Sequence, residues 1–249
     1  MSGGVMLRDE TKRLGVRLDL QLLGWWELHV ADTPVLLGHR EQRLVALLAL
    51  RGSRTRSHVA GTLWPDATEE RALSSLRSAV LRTRRAVDGL LEVGRGTLSL
   101  GREVHVDVQD LCDCAAALMD RPVGDSQRVM STLTSADLLP GWYEDWVLFE
   151  RERLQHLRLR SLEALALNAL DRGCPEDAVA AAQAAVAIEP LRESAHAIAI
   201  RAHLVEGNRA AALRQFQGYR ARLARELGVA PSPEIVALVS RLGARRSDG

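Results

Sequence analysis

Residues 63–101 read LWPDATEERALSSLRSAVLRTRRAVDGLLEVGRGTLSLG, and this stretch decides the fold of the first half of the chain. Its middle part, residues 67–88, repeats apolar residues at helical intervals and follows Asp66, a residue type that caps helix N-termini. Its last part places apolar residues on both sides of Gly94-Arg95-Gly96, which is typical of a β-hairpin with an exposed tip. The stretch therefore predicts a helix over 67–88 followed by a hairpin.

The predicted helix has two faces of opposite character. Its inward face repeats apolar residues at intervals of 3, 4 and 7: Leu73, Leu76, Val80 and Val87. The other side carries small hydroxyls and guanidinium groups: Ser74, Ser75, Ser78, Arg82 and Arg85. The 16 residues between Arg71 and Asp88 contain no acid, and guanidinium groups bind phosphates or the O6/N7 edge of guanine. This favours a helix that enters the major groove of DNA, with a solvated surface helix as the alternative.

The residues before and after this helix predict further strands and helices, whose order along the chain is informative. Residues 16–37 read as short strands with turns at Gly24 and at 32–34, and helical patterns follow over 39–51 and 55–63. Strands, three helices and a terminal hairpin predict a winged helix. Arg95 at the hairpin tip is then placed to reach a phosphate or the minor groove, although an ordinary turn with a solvated arginine has the same sequence.

The second half, from about Val108, has alanine and leucine at helical spacing and predicts an all-α region. It also repeats. A shift of 34 residues superimposes Gly173 on Gly207, and it aligns Ala178, Ala182 and Ala185 with Ala212, Phe216 and Tyr219. This is the period of tetratricopeptide helix pairs, whose stacking creates a concave surface for protein contacts.

Composition excludes several classes of protein. The 249 residues include 33 basic and 32 acidic side chains, but only one lysine, Lys12, so the chain has no phosphate-loop lysine and a Schiff-base mechanism is disfavoured. Residues 1–107 carry 16 basic and 13 acidic side chains, whereas 108–249 carry 17 and 19. The basic excess therefore lies in the half that contains the predicted DNA-reading helix.

No residue pattern indicates catalysis. The three cysteines form neither a disulfide framework nor a four-ligand zinc site, and the seven histidines form no i,i+4 pair. His196 and His203 are interpreted as packing residues of a repeat helix. The sequence GWYEDWVLFE holds four of the nine aromatic residues, which predicts core packing between helical layers, with a binding pocket as the alternative. We expect no enzyme, no cofactor and no metal.

The sequence resembles a known family. LWPD, ERALSSLRSAVLRTRRAV and the hairpin are similar to the OmpR-type winged helix, while LLPGWYEDWVLFERERL, EPLRESAHAIAIRAHLVEGNRAAALRQF and RELGVAPSPEI are similar to the bacterial transcriptional activation domain. Together they resemble the short, two-domain form of the Streptomyces antibiotic regulatory protein family. Two positions depart from its pattern: Thr83 stands where an inward leucine is usual, and Thr97-Leu98 replaces Gly-Tyr in the hairpin.

The resemblance implies a pathway-specific activator of a secondary-metabolite gene cluster. Such a protein binds direct repeats near the promoter −35 element as a homodimer and recruits RNA polymerase holoenzyme. The expected contacts to double-stranded promoter DNA, from the pattern and the resemblance together, are Ser74, Ser75, Arg77, Ser78, Arg82, Arg84, Arg85 and, in the wing, Arg95. The alternative function is a tetratricopeptide-type interaction adaptor with weak or no DNA binding.

These expectations define a domain plan. We predict an N-terminal tail over 1–15, an α+β winged-helix domain over 16–107, an all-α tetratricopeptide-like domain over 108–243 and a C-terminal tail over 244–249. The two predicted domains, of about 100 and about 140 residues, account for nearly all of the chain, so we expect no ATPase or receiver module. The first twenty residues lack a signal-peptide core and no apolar run is long enough for a membrane span, which predicts a cytoplasmic, nucleoid-associated protein.

Overall fold

The computed structural model describes residues 17–120 and 125–243. The two predicted tails lie outside the described residues. The chain divides into two compact units. The first contains the residues up to Asp110 together with Ala136–Arg151, and the second contains Leu111–Ser135 together with the residues from Glu152 onward.

Two small sheets belong to the first unit. One has the strand order β3-β2-β1-β7 and the other has the order β4-β6-β5. All neighbouring strands run antiparallel except β1 and β7, which pair in parallel. In chain order the strands are β1 (Leu18–Gln21), β2 (Glu27–Val30), β3 (Thr33–Pro34), β4 (Arg54–Thr55), β5 (Leu91–Val93), β6 (Thr97–Leu100) and β7 (Val104–Val106).

The predicted strands of residues 16–37 and the predicted hairpin are confirmed, whereas β4 and β7 were not predicted. Both strands are only two or three residues long. A strand this short holds too few alternating positions to be recognised, and its partner lies far away in sequence. β4 pairs with β6, and β7 pairs with β1, so each depends on contacts that only the folded chain supplies.

Three helices pack with these sheets, as predicted: α1 (His39–Arg51), α2 (Arg56–Leu63) and α3 (Glu69–Ala86). The prediction that Asp66 caps α3 is wrong, because the N-cap residue is Thr68. Residues 64–67 form a turn instead, in which the amide of Ala67 donates to the carbonyl of Trp64 at 3.2 Å. Glu69 and Glu70 then occupy the first turn of α3, where carboxylates interact favourably with the helix dipole.

The inward face of α3 is confirmed with one adjustment. Leu76, Val80 and Val87 are buried, whereas Leu73 is only half-buried. The side chains that complete the buried face are small: Ala72, Ala79 and Thr83. Small residues at these positions let α3 approach the other helices of the core closely.

The aromatic stretch in GWYEDWVLFE belongs to the first unit. Its Trp142 ring lies 5.2 Å from that of His39 and 6.5 Å from that of Trp146, which is buried. Tyr143 and Phe149 are 77% and 66% exposed. The core-packing interpretation is therefore correct for the two tryptophans and wrong for the other two rings. The helix that begins at Asp145 turns Phe149 away from the buried side, and Tyr143 precedes that helix with its side chain exposed.

The remaining helices are α4 (Asp107–Asp120), α5 (Ser126–Leu133), α6 (Asp145–Asp171), α7 (Pro175–Ile188), α8 (Glu193–Val205), α9 (Arg209–Glu226) and α10 (Pro233–Gly243). The described part of the chain therefore has a mixed α/β N-terminal region followed by helices, the predicted fold class. None of its helices combines the length and apolar character that crossing a membrane requires.

The 34-residue repeat is confirmed in the second unit. Gly173 and Gly207 precede α7 and α9 and have nearly equal φ angles of 73° and 76°, a left-handed conformation that glycine adopts at low cost. The aligned positions are all buried: Ala178, Ala182 and Ala185 in α7, and Ala212, Phe216 and Tyr219 in α9. Equivalent glycines and equivalent core positions show that the two helix pairs are copies of one structural unit.

Candidate nucleic-acid interface

The candidate site begins with the exposed side of α3, which we call the serine-arginine face. Its side chains are Ser74, Ser75, Arg77, Ser78, Arg82, Arg84 and Arg85. Ser75 is half-buried and the others are exposed. The Ser78 hydroxyl donates to the carbonyl of Ser74 at 3.1 Å and still has lone pairs free to accept. The helix thus presents short hydroxyls and long cationic side chains together.

One residue of this face is tied to another helix. The Nε atom of Arg82 lies 3.0 Å from Oε1 of Glu41 in α1. Glu41 is 6% exposed, so its carboxylate adds a negative charge directly beside the serine-arginine face. The sequence between Arg71 and Asp88 therefore contains no acid, but the fold places one beside this face. Sequence reasoning missed Glu41 because the two residues are 41 positions apart.

An apolar side chain also lies on the exposed side of α3. Leu81 is 51% exposed and is adjacent in sequence to Arg82. In the major groove an apolar side chain can contact the methyl group of thymine. The helical period could have identified this position, since Leu81 does not belong to the inward stripe.

Thr83 occupies the inward side of α3, where the resemblance leads one to expect leucine. It is fully buried, and its Oγ1 donates to the carbonyl of Ala79 at 3.0 Å. The hydroxyl is thereby satisfied inside its own helix, so it needs no partner from the core. Thr83 therefore occupies a buried position on the side of α3 away from the exposed arginines of the serine-arginine face.

The hairpin formed by β5 and β6 is the wing. Its register pairs Leu91 with Leu100 and Val93 with Leu98, and the amide of Gly94 donates to the carbonyl of Thr97 at 3.0 Å. Arg95 at the tip is exposed. The substitution of Thr97-Leu98 for Gly-Tyr is compatible with a regular hairpin.

Two further arginines lie next to the wing, and sequence reasoning missed both. Arg54 is paired with Leu98 through the β4–β6 ladder, and the amide of Arg56 donates to the carbonyl of Gly96 at 3.0 Å. Both side chains are half-buried. The tertiary fold therefore brings Arg54 and Arg56 to the hairpin whose tip carries Arg95, which increases the positive charge on this part of the unit.

The two histidines of the repeat make contacts within the helical unit, and the packing interpretation fits the buried one, His196. His196 is buried and stacks on Tyr219 with ring centroids 4.3 Å apart, while His203 lies 3.2 Å from the carboxylate of Glu206. Within residues 17–120 and 125–243, no three His, Cys, Asp or Glu side chains come together in a way that could hold a metal ion.

Comparison with known proteins places this architecture in a family. The model of the bacterial transcriptional activator domain matches residues 91–242. Regulatory protein AfsR of Streptomyces coelicolor is 32% identical over 225 residues, and its counterpart in Streptomyces griseus is 29% identical over 220. Both alignments cover 82% of this chain but 22% of the relative, so the chain spans about a fifth of the length of these curated relatives.

A solved structure has a similar fold. Mycobacterium tuberculosis EmbR, in complex with a low affinity phosphopeptide, superposes with a TM-score of 0.73 over 92% of this chain and 66% of its own. At 20% identity this likeness concerns the fold alone.

A winged-helix unit and a helical-repeat unit define a two-part architecture typical of regulators. The chain belongs to the bacterial transcriptional activator domain family. The resemblance to the Streptomyces antibiotic regulatory proteins is thereby confirmed. Since this is a family of transcriptional activators, the match also agrees with the prediction that the chain is not an enzyme.

Proposed function

We propose that this protein activates transcription by binding promoter DNA through α3 and the wing. The observation that carries the proposal is the serine-arginine face. Short hydroxyls allow the helix axis to approach base edges, and its arginines can grip phosphates or guanines. Arg95 then reaches the sugar-phosphate backbone or the adjacent minor groove from the wing.

A gel mobility-shift titration of the full chain on the promoters of its neighbouring genes tests this proposal. With about six charged contacts per protomer, each bound protomer contributes about −5 to the slope of log K against log salt concentration, since each phosphate contact contributes roughly −0.9. Binding that does not depend on salt, or equal affinity for promoter and random DNA, contradicts sequence-specific recognition. Absence of salt-dependent binding to promoter DNA supports the adaptor alternative.

We further propose the finer role that the resemblance implies. The target is a secondary-metabolite gene cluster, the site is a direct repeat near the −35 element, and the bound form is a homodimer that recruits RNA polymerase holoenzyme. The two curated relatives are named regulatory proteins and come from Streptomyces, which supports the choice of target class. Footprinting tests the repeat, and the mass of the protein–DNA complex tests the dimer. A protected region of a single half-site contradicts the dimer.

The helical-repeat unit is assigned to protein contacts. It contains stacked helix pairs, an arrangement that creates concave surfaces for partners. Removing residues 152–249 should leave DNA binding measurable and abolish activation in a reporter assay. Normal activation by the shortened protein rules out this role. Such a regulator acts at the nucleoid in the cytoplasm.

A further inference from the structure

A groove of about 700 Å³ opens on the second unit, between α7, α8 and α9. Three arginines of α9 line it: Arg214, Arg222 and Arg225. We call it the arginine groove. Among the described residues that line it there is no Asp or Glu. The groove therefore has a strongly cationic wall.

The positive charge of this wall is only partly neutralised. α9 contains five arginines and a single acid, Glu226. The carboxylate of Glu226 lies 3.6 Å from Arg222 and 2.7 Å from Arg225. Arg214 is exposed and has no acidic side chain within ion-pair distance among the described residues. Glu206 and Glu193 lie beside other lining residues, 3.2 Å from His203 and 3.0 Å from the Tyr219 hydroxyl. The excess positive charge is therefore localised on the α9 wall, and a ligand of negative charge complements that wall.

Hydrogen bonds across three helices build the floor of the groove. The Nε2 atom of Gln183 in α7 donates to Oε1 of Gln215 at 2.9 Å, and Nε2 of Gln215 lies 2.9 Å from Nδ1 of His196 in α8. The other ring nitrogen of His196 lies 3.1 Å from the carbonyl of Pro190. Burial lowers the pKa of His196, so its ring is neutral and donates to that carbonyl while accepting from Gln215. The floor is thus rigid and carries amide groups that a peptide backbone can pair with.

The middle of the groove is open. Gly218 lies between Arg214 and Arg222 on α9, and a Cβ atom added at Gly218 would meet no atom within 4 Å. Ala211 and Ala221 are also small and also line the groove. A ligand can therefore approach the helix backbone closely while the arginines reach its charged groups.

We propose that the arginine groove binds an acidic peptide segment of a partner protein. Arg214 and Arg225 are 11 residues apart, which corresponds to about 16 Å along a helix and to about five residues of extended peptide. Carboxylates of such a segment form charge-assisted hydrogen bonds with the guanidinium groups. This deepens the protein-contact role proposed above for the helical unit, and it rests on that role but not on DNA binding.

The structure favours a peptide over a nucleic acid. Proteins that hold single strands stack bases on exposed aromatic rings. The aromatic ring that lines the groove, Tyr219, is 3% exposed and already stacks on His196. A duplex, whose phosphates lie on a convex surface, fits poorly into a concave groove. A narrow chain with carboxylates fits both the shape and the charge.

Fluorescence polarisation on the full chain tests the proposal. The probe is a fluorescein-labelled decapeptide of glutamates and leucines, and the reference is the same peptide with glutamine in place of glutamate. We expect saturable binding of the acidic peptide only. The double variant Arg214→Ala/Arg225→Ala should weaken it at least tenfold, whereas Arg209→Ala/Arg220→Ala, which removes the same charge from exposed positions of α9 outside the groove, should change it less than twofold.

A second variant separates the groove from general charge effects. Gly218→Leu fills the open space and favours helix formation, so it should block the peptide while leaving circular dichroism unchanged. Any of three results overturns the proposal: an equal loss of peptide affinity in the two double arginine variants, full peptide binding by Gly218→Leu, or no peptide binding by the unmodified chain. A further contrary result is a single-stranded oligonucleotide that displaces the peptide and loses affinity in the Arg214→Ala/Arg225→Ala variant. This result assigns the groove to nucleic acid and also overturns the proposal. Promoter binding measured on the same variants tests the DNA-binding role separately, because that role predicts no change.

Discussion

Arg82 and Glu41 join the exposed face of α3 to α1 through an ion pair of 3.0 Å. The two partners differ in exposure, since the Arg82 side chain is 56% exposed and that of Glu41 is 8% exposed. A buried carboxylate depends on a cationic or hydrogen-bonding partner. Arg82 therefore stabilises the first unit and at the same time presents its remaining N–H groups on the serine-arginine face.

Replacing Arg82 is expected to affect both stability and DNA binding. Arg82→Ala leaves the Glu41 carboxylate without its cation and should destabilise the first unit by about 1–2 kcal/mol, less than a fully buried pair because Arg82 is half exposed. Glu41→Gln added to Arg82→Ala should recover most of this loss but none of the lost DNA affinity. Urea unfolding followed by tryptophan fluorescence reports on the first unit alone, since all five tryptophans lie in it.

Arg85 provides the matched comparison, because it is an exposed arginine of the same helix. Arg85→Ala should weaken promoter binding by about 1–3 kcal/mol if the side chain reads a base, with little change in unfolding. A mobility-shift titration measures the first quantity and urea unfolding the second. Full promoter occupancy by this variant would remove Arg85 from the interface.

The wing arginine is expected to act through a phosphate. Arg95→Ala should reduce the magnitude of the salt slope of promoter binding by about 1 and weaken all DNA sequences alike. Arg17→Ala, an exposed arginine just before β1 in the other sheet, is the control and should leave the slope unchanged. An identical effect of the two substitutions would show that only overall charge matters.

Residues 136–151 are expected to stabilise the winged-helix unit. Arg43 and Glu144 form an ion pair of 2.9 Å, and Arg51 and Glu150 form one of 2.8 Å. A fragment ending at residue 107, the predicted domain boundary, lacks both carboxylates and the buried Trp146. We expect it to unfold at a lower urea concentration than a fragment ending at residue 151. Equal midpoints would show that the shorter domain is self-sufficient.

The second unit is expected to lose stability in acid through Glu163. Burial alone would raise the pKa of its carboxyl, but hydrogen bonds from Arg192, at 2.6 and 2.8 Å, and from Ser194 outweigh burial and hold the pKa below its usual value. The stabilisation is therefore present above about pH 4.5 and is lost as the pH falls through the lowered folded-state pKa. Unfolding midpoints of Glu163→Gln and the unmodified chain, followed by far-UV circular dichroism, should differ at pH 7 and converge as the pH falls through that lowered pKa. A constant difference would contradict this origin.

Local sequence patterns were sufficient for most of the helices. The helix over 39–51 and the hairpin at Gly94–Gly96 were predictable, because side-chain periodicity and turn residues act within a few positions of the chain. The 34-residue repeat was equally readable, since each copy uses the same glycine and the same buried positions.

The tertiary structure alone decided which groups meet across the chain. β7 pairs with β1, Glu41 meets Arg82, and Arg56 reaches the wing at Gly96. Each of these contacts joins residues about 40 or more positions apart, so no local pattern encodes it. Bringing such distant residues together costs chain entropy, and burial of the core offsets that cost. Backbone pairing and ion pairs between these residues then form in the folded chain. The sequence by itself therefore determined the helices and their exposed faces, and the fold decided which of those charges remain available to a partner.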